Sequence, residues 1–321
     1  MGESRGSATN RQACSGDRFE FTTPACAPIA AVDGTSVTRK GYPMSRTWLI
    51  TGSSQGLGRE LAEAVLAAGN CLVATTRRPE QLNDLVERHG ERVRALALDV
   101  TDPAAARGVV REAVEAFGHL DVVVNNAGYA DVASIEDMPE DEFRAQVDAN
   151  FYGVVNMTRA ALPVLREQGH GHIIQISSVG GRVGGPGLGP YQASKWAVGG
   201  FSEVLAKEVA SFGIKVTVAE PGGMRTNWAG SSMTMHPISD PYKPVIEPTV
   251  ARMRAANGRQ PGDPARVAQV IMDITEAPDP PLRLLLGSDA VAVARAAAEN
   301  LAASDAKWRA VSESVGYDEG E

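Results

Sequence analysis

The chain has 321 residues, 43% of them hydrophobic and 22% charged, and carries a net charge of −8. This is the composition of an ordinary globular protein, long enough to bury a core without disulfide or metal staples. The acidic balance argues against a nucleic-acid partner, which would ask for a basic patch, and no apolar run reaches the ~18 residues that span a bilayer, so the expectation is a cytoplasmic protein that binds neither nucleic acid nor membrane.

Residues 1–43 are rich in Gly, Ser, Thr, Ala and Pro and show no sustained period, which predicts a disordered N-terminal extension. Met44 stands just before the first apolar run, and a chain beginning there is expected to fold and work normally. The three cysteines, Cys14, Cys26 and Cys71, follow no disulfide spacing. Cys71 opens an apolar run and reads as a small core residue. His170 and His172 flank a glycine with no carboxylate or cysteine cluster nearby, so they read as loop residues, and no metal site is expected.

From residue 46 onward, strand-length apolar runs alternate with helical periodicity. The expected strands are Thr47–Thr51, Cys71–Thr75, Val93–Leu98, Val122–Asn125, His172–Ser177, Lys215–Ala219 and Leu282–Leu286. Most are apolar on both faces, as buried parallel strands are. Between them, Arg59–Ala68 shows a helical stripe of Leu61, Ala64, Val65 and Ala68, and Pro103 opens a helix behind a Thr101 or Asp102 cap. Repeated strand–helix–strand units predict an α/β fold: one Rossmann-like domain over residues 44–290, with a doubly wound parallel sheet of about seven strands. Ligands of such sheets bind at the strand C-termini. Met224–Gly262, with Trp228, Met224, Met233, Met235, Met253 and several prolines, breaks the rhythm and reads as a substrate lid. Ala290–Ala302 has a helical pattern, and residues 291–321 are expected to form a C-terminal helix with an acidic, frayed tail.

The first strand runs into T-G-S-S-Q-G-L-G, Thr51 to Gly58, with a helix at once behind it. Glycines 52, 56 and 58 let the backbone turn and approach a pyrophosphate, and the helix N-terminus supplies free N–H groups and partial positive charge. A glycine cluster alone is an ordinary turn; its position between the first strand and first helix gives it meaning. In Y-Q-A-S-K, Tyr191 and Lys195 share one helical face. An ammonium near a phenol favours the phenolate and would lower its pKa from about 10, fitting Tyr191 for proton exchange near neutral pH. Ser178, thirteen residues earlier at a strand end, can hold a substrate oxygen in register; its plainer role would be a turn cap.

Together these segments resemble the short-chain dehydrogenase/reductase family over about residues 46–290. The resemblance rests on T-G-x-x-x-G-x-G, N-N-A-G at Asn125–Gly128, Ser178, Y-x-x-x-K and P-G-G-M-R-T at Pro221–Thr226. It implies an NADP(H)-dependent oxidoreductase that interconverts a carbonyl and an alcohol, with Asn150, Ser178, Tyr191 and Lys195 as catalytic residues. Asn150 would hold a proton-relaying water, with a structural kink as its rival role. The implied cofactor contacts are Gly52, Ser54, Gln55, Gly56, Leu57, Gly58, Asp99, Val100, Asn125, Ala127, Gly128, Tyr191, Lys195, Pro221, Gly222 and Thr226, with Asp99 near adenine and Asn125 bridging strands. Arg77 is added because it stands, with Arg78, where an NAD-preferring fold places a carboxylate about 20 residues past the glycine turn, and guanidinium pairs well with phosphate. The expected partner is a small carbonyl or alcohol, with an apolar body suggested by the methionines and tryptophan of the lid; a homodimer or homotetramer is the family expectation. An epimerase on the related extended scaffold, and an NADP-binding regulatory sensor without turnover, are the alternatives.

Overall fold

The computed structural model describes residues 45–229 and 233–317. The expected extension over 1–43, with Cys14 and Cys26, lies outside the described residues, as does the end of the tail from residue 318. The strands are β1 (Thr47–Thr51), β2 (Cys71–Thr76), β3 (Val93–Ala97), β4 (Val122–Asn125), β5 (Gly171–Ile176), β6 (Ile214–Pro221) and β7 (Arg283–Leu286). They form one sheet in the order β3-β2-β1-β4-β5-β6-β7, and every pairing is parallel. The order reverses between β1 and β4, which opens a crevice at their C-terminal ends.

Side-chain alternation along the strands makes two cores. Trp48, Ile50, Leu72, Ala74, Val122 and Val124 face helices α1 (Gly56–Ala67), α2 (Asn83–His89) and α8 (Pro264–Glu276). Leu49, Val73, Val123, Ile173 and Val216 face α3 (Pro103–Phe117), α5 (Gly153–Gln168) and α6 (Gly189–Val209). Leu57, Leu61 and Val65, with Gly58, Ala62 and Leu66, make the buried stripe of α1, so the expected stripe is one row out: Ala68 is exposed. Asp102 caps α3, its Oδ1 accepting from Ala104 N–H at 2.7 Å and Ala105 N–H at 3.2 Å.

Several boundaries differ from the periodicity. β6 runs on to Pro221, and β5 stops at Ile176, so Ser177 and Ser178 stand just past the strand end. His172 belongs to β5 rather than to a loop; it is buried, 2.9 Å from Thr217 Oγ1, and burial pulls it down to about 3, so it is neutral. The residues between β6 and β7 are far from structureless. They contain α7 (Lys243–Ala256), which tolerates Pro244 in its first turn and Pro248 one turn later. Asp131 Oδ1 accepts from Thr234 N–H at 2.9 Å, Asp137 Oδ2 accepts from Ser239 N–H at 3.1 Å, and the Tyr242 hydroxyl donates to Glu136 at 2.6 Å. The last helix, α9 (Ser288–Glu313), extends well past Ala302 into the residues expected to fray, with Arg309 pairing Glu313 at 2.6 Å.

Candidate active site

Five strand ends, those of β1 to β5, and the segment after β6 enclose a cleft of about 870 Å³. The turn after β1 forms its floor. Gly52 has φ +70°, a backbone that other residues rarely adopt, and a Cβ at Gly58 would fall on the Gly52 carbonyl and the Asn126 amide. Thus Gly58, which does not itself line the cleft, is what allows α1 to start this close to the turn. No acid stands in the first turn of α1, so its N-terminal partial charge is left for an anion. The Asn126 amide donates to the Thr51 carbonyl at 2.9 Å and the Gly52 carbonyl at 3.1 Å, tying the β4 end to the glycine turn.

Gly52, Ser54, Gln55, Gly56, Leu57, Arg77, Asp99, Val100, Ala127, Gly128, Ser178, Tyr191, Lys195, Pro221, Gly222 and Thr226 all line this cleft. Asn125 does not. It is buried behind the sheet end, where its amide donates to Gln175 at 2.8 Å and Thr158 at 3.3 Å; of the Asn pair it is Asn126 that reaches the cleft. Asn150 is also behind the wall. It sits in a π-helical turn, Asp148–Tyr152. Its amide donates to the Tyr129 carbonyl at 2.8 Å and its Oδ1 accepts from Tyr129 N–H at 2.9 Å. A Cβ at Gly128 would meet Asn150 Oδ1 at 2.5 Å, so that glycine makes room for the asparagine. Asp99 turns its carboxylate to Thr101, accepting from the hydroxyl at 2.7 Å and the N–H at 2.9 Å, which holds its pKa below the usual carboxylate range.

Tyr191 and Lys195 are 8% and 4% exposed. The Lys195 ammonium donates to the Ile176 carbonyl at 2.7 Å and lies 5.6 Å from the Tyr191 ring centroid. Burial pushes the Tyr191 phenol up to about 12, partly offset by its hydrogen bond with the Ser178 hydroxyl. Burial also pulls Lys195 down to about 8. The lowering expected from Lys195 does not set the phenol's pKa here; desolvation does, because a buried phenolate would have no water to solvate it. Ser178 also accepts from Gly180 N–H at 3.0 Å, so its cap role and its place beside Tyr191 coexist. Ser177 braces the same helix through the Lys195 carbonyl at 3.3 Å.

The cleft is completed by residues of the expected lid and by others, Gln81 and Gln260 among them, that periodicity and motif spacing did not single out. Trp228 packs against Tyr191 with ring centroids 5.1 Å apart. Met224, Met253 and Gln260 line the same end, and Gln260 Oε1 is buried without a hydrogen-bond partner. Thr76 and Gln81 join Arg77 and Arg78 at the end of β2, where Thr76 Oγ1 donates to Gln81 at 3.2 Å. Both arginines are exposed, and neither makes an ion pair among the described residues.

A family model described as short chain dehydrogenase matches residues 46–236. The chain belongs to the short-chain dehydrogenase/reductase family. It is similar to the oxidoreductase BOA17 of Botryotinia fuckeliana, 53% identical over 84% of this chain and 98% of that protein. It is also similar to a 3-ketodihydrosphingosine reductase of Bacteroides thetaiotaomicron, 42% identical over 56% of this chain and 64% of that one. The crystal structure of a short-chain dehydrogenase from Streptomyces avermitilis superposes with a TM-score of 0.80 at 38% identity, covering 86% of this chain and 100% of that chain. The family binds a nicotinamide cofactor, and the cleft of this short-chain dehydrogenase fits one: a glycine floor that a Cβ would fill, an acid-free helix N-terminus and two exposed guanidinium groups.

Proposed function

We propose that this short-chain dehydrogenase is an NADP(H)-dependent carbonyl reductase or alcohol dehydrogenase with Tyr191 as its acid/base. The observation that carries the reading is the convergence of Ser178, Tyr191 and Lys195 in the cleft that holds the glycine turn. The N-terminus of α1 and the backbone of Ser54–Gly56 would hold the pyrophosphate, Arg77 with Arg78 the 2′-phosphate, Asp99 and Val100 the adenine end, and Lys195 the nicotinamide ribose. Pro221–Thr226 would receive the nicotinamide. When bound, the nicotinamide supplies or accepts the hydride.

The protein's own part is to hold the substrate oxygen and move one proton. With its phenol raised to about 12, Tyr191 keeps its proton at neutral pH and is a donor to a developing alkoxide. Ser178 holds that oxygen in line, and the Lys195 ammonium stabilises the phenolate as the proton leaves. Trp228, Met224 and Met253 offer an apolar wall, so the substrate is read as a carbonyl or alcohol with an apolar body; likeness to a ketone reductase of a long-chain base supports that class. Residues 224–262 act as the substrate lid. Tyr191→Phe keeps the ring and its contact with Trp228 but removes the proton, so turnover of NADPH against a panel of apolar ketones should fall about 10²–10⁴-fold with NADPH affinity kept. Near-normal turnover in that variant would remove Tyr191 from the chemistry. A parent protein that binds NADPH but reduces no ketone would favour the regulatory sensor.

A further inference from the structure

The turn after β6 is held from the C-terminal helix. Asp289, in the first turn of α9, accepts from the Gly223 N–H through Oδ2 at 2.8 Å. Gly222 N–H donates to the Leu286 carbonyl, at the end of β7, at 2.9 Å. A Cβ at Gly222 would fall on the Asp289 carboxylate, one at Gly287 would come within 2.6 Å of Oδ1, and one at Gly223 within 3.6 Å of Oδ2. The carboxylate is thus seated among three glycines. Its Oδ1 is buried with no hydrogen-bond partner, a desolvation cost that a residue without a task would shed.

An acid in a helix's first turn is ordinary, because the partial positive charge there favours it. That role asks for no bond to another element and for no glycine opposite. Here the carboxylate takes a main-chain donor from the turn after β6, and it occupies the place of a Gly222 side chain. Gly222 and Gly223 line the cleft, while Asp289 stands one layer behind them. We propose that Asp289 is a positioning residue for the cofactor site: it fixes the Pro221–Met224 turn, and with it the backbone groups that meet the nicotinamide half. The proposal rests on the nicotinamide reading of the cleft.

The test compares Asp289→Ala with Asp289→Asn, which keeps an acceptor at the same reach. Three quantities are read on the full chain: hydrogen exchange of the Gly223 amide without cofactor, the Kd of NADPH by fluorescence titration, and KM for NADPH against kcat. In Asp289→Ala the Gly223 amide should exchange at least about tenfold faster, and Kd and KM for NADPH should rise by about tenfold or more, as the loss of a charge-assisted bond implies. Asp289→Asn should restore both to within about threefold. A fall in thermal stability with unchanged NADPH affinity, or equal loss in the two variants with Gly223 still protected, would overturn the proposal. Should Asp289→Ala fail to fold, Gly222→Ala displaces the carboxylate from the other side and must loosen Gly223 and NADPH alike; parental values there would overturn it too. A parent that binds no NADPH would sink the functional reading, and the Gly223 exchange then decides by itself whether Asp289 holds the turn.

Discussion

Replacing Lys195 by methionine should separate what this residue does for the reaction from what it costs the fold. The side chain is 4% exposed, and burial pulls its ammonium from the usual 10.5 to about 8. At 1.36 kcal/mol per unit, the charged form below pH 8 costs the folded state about 3 kcal/mol. Between pH 8 and 10.5 the unfolded chain binds a proton that the folded chain does not, so parental stability rises with pH across that window. Methionine has similar length and no such proton. It also forfeits the hydrogen bond to the Ile176 carbonyl, about 1.5–3 kcal/mol for a charged donor, so the two proteins should be nearly equal in stability at pH 7. The diagnostic is the trend: variant-minus-parent stability should fall by about 3 kcal/mol from pH 7 to pH 10.5. Urea unfolding at pH 7, 9 and 10.5, without added cofactor, measures it. A difference that stays flat, or that grows with pH, would refute the burial argument.

Further outcomes follow from the same geometry. Arg77→Ala should weaken NADPH while sparing NADH, lowering the kcat/KM preference by roughly tenfold, the low end for a charge-assisted bond at an exposed site; a preference that does not move would show that this loop does not read the phosphate. Gly58→Ala puts a Cβ on the Gly52 carbonyl and the Asn126 amide, so it should cost about 1–3 kcal/mol in urea unfolding and also weaken NADPH; parental stability would mean the turn gives way easily. Asp131→Ala frees the Thr234 N–H, so that amide should exchange faster and substrate KM should rise with NADPH Kd unchanged; an unaltered Thr234 exchange rate would show that Asp131 does not anchor the lid.

The sheet was readable because the five inner strands are buried on both faces and the crossover helices carry apolar stripes, so periodicity alone places seven strands in a wound α/β order. Boundaries were less readable where local chemistry overrides hydropathy. β6 continues through Glu220 because that buried carboxylate is paired by Arg182 and Arg283, at 2.5 and 2.6 Å; a charged residue at a strand end otherwise reads as a stop. α7 was hidden by its prolines. Pro244 falls in the first turn, where a missing N–H is free of cost, and Pro248, one turn later, forgoes the hydrogen bond to the Pro244 carbonyl inside the helix. The helix then buries Ile246 and Val250 against Val132 and Tyr191, a long-range contact that no local pattern announces.

For the site, the motif residues were legible and the reasons for them were not. A glycine in a sequence marks a place where a side chain is unwelcome, but not what excludes it. Gly58 is excluded by backbone across the turn, Gly128 by Asn150, and Gly222 by a carboxylate whose α-carbon lies in a helix far along the chain. Only the first of the three is local. The polar residues behave the same way: Asn125 and Asn126 are adjacent in sequence, and strand alternation sends one into the sheet and the other to the cleft. Electrostatics adds a further step that spacing cannot supply. The i, i+4 placement of Tyr191 and Lys195 suggests a lowered phenol, yet both groups are buried together, and desolvation moves the phenol up and the ammonium down. At neutral pH a pair so shifted is protonated on the tyrosine and still mostly protonated on the lysine, which is half charged only near pH 8. The direction of each shift follows from burial, a property of the packed cleft, and could be read only after α6, β5 and the segment after β6 had been brought together around the pair.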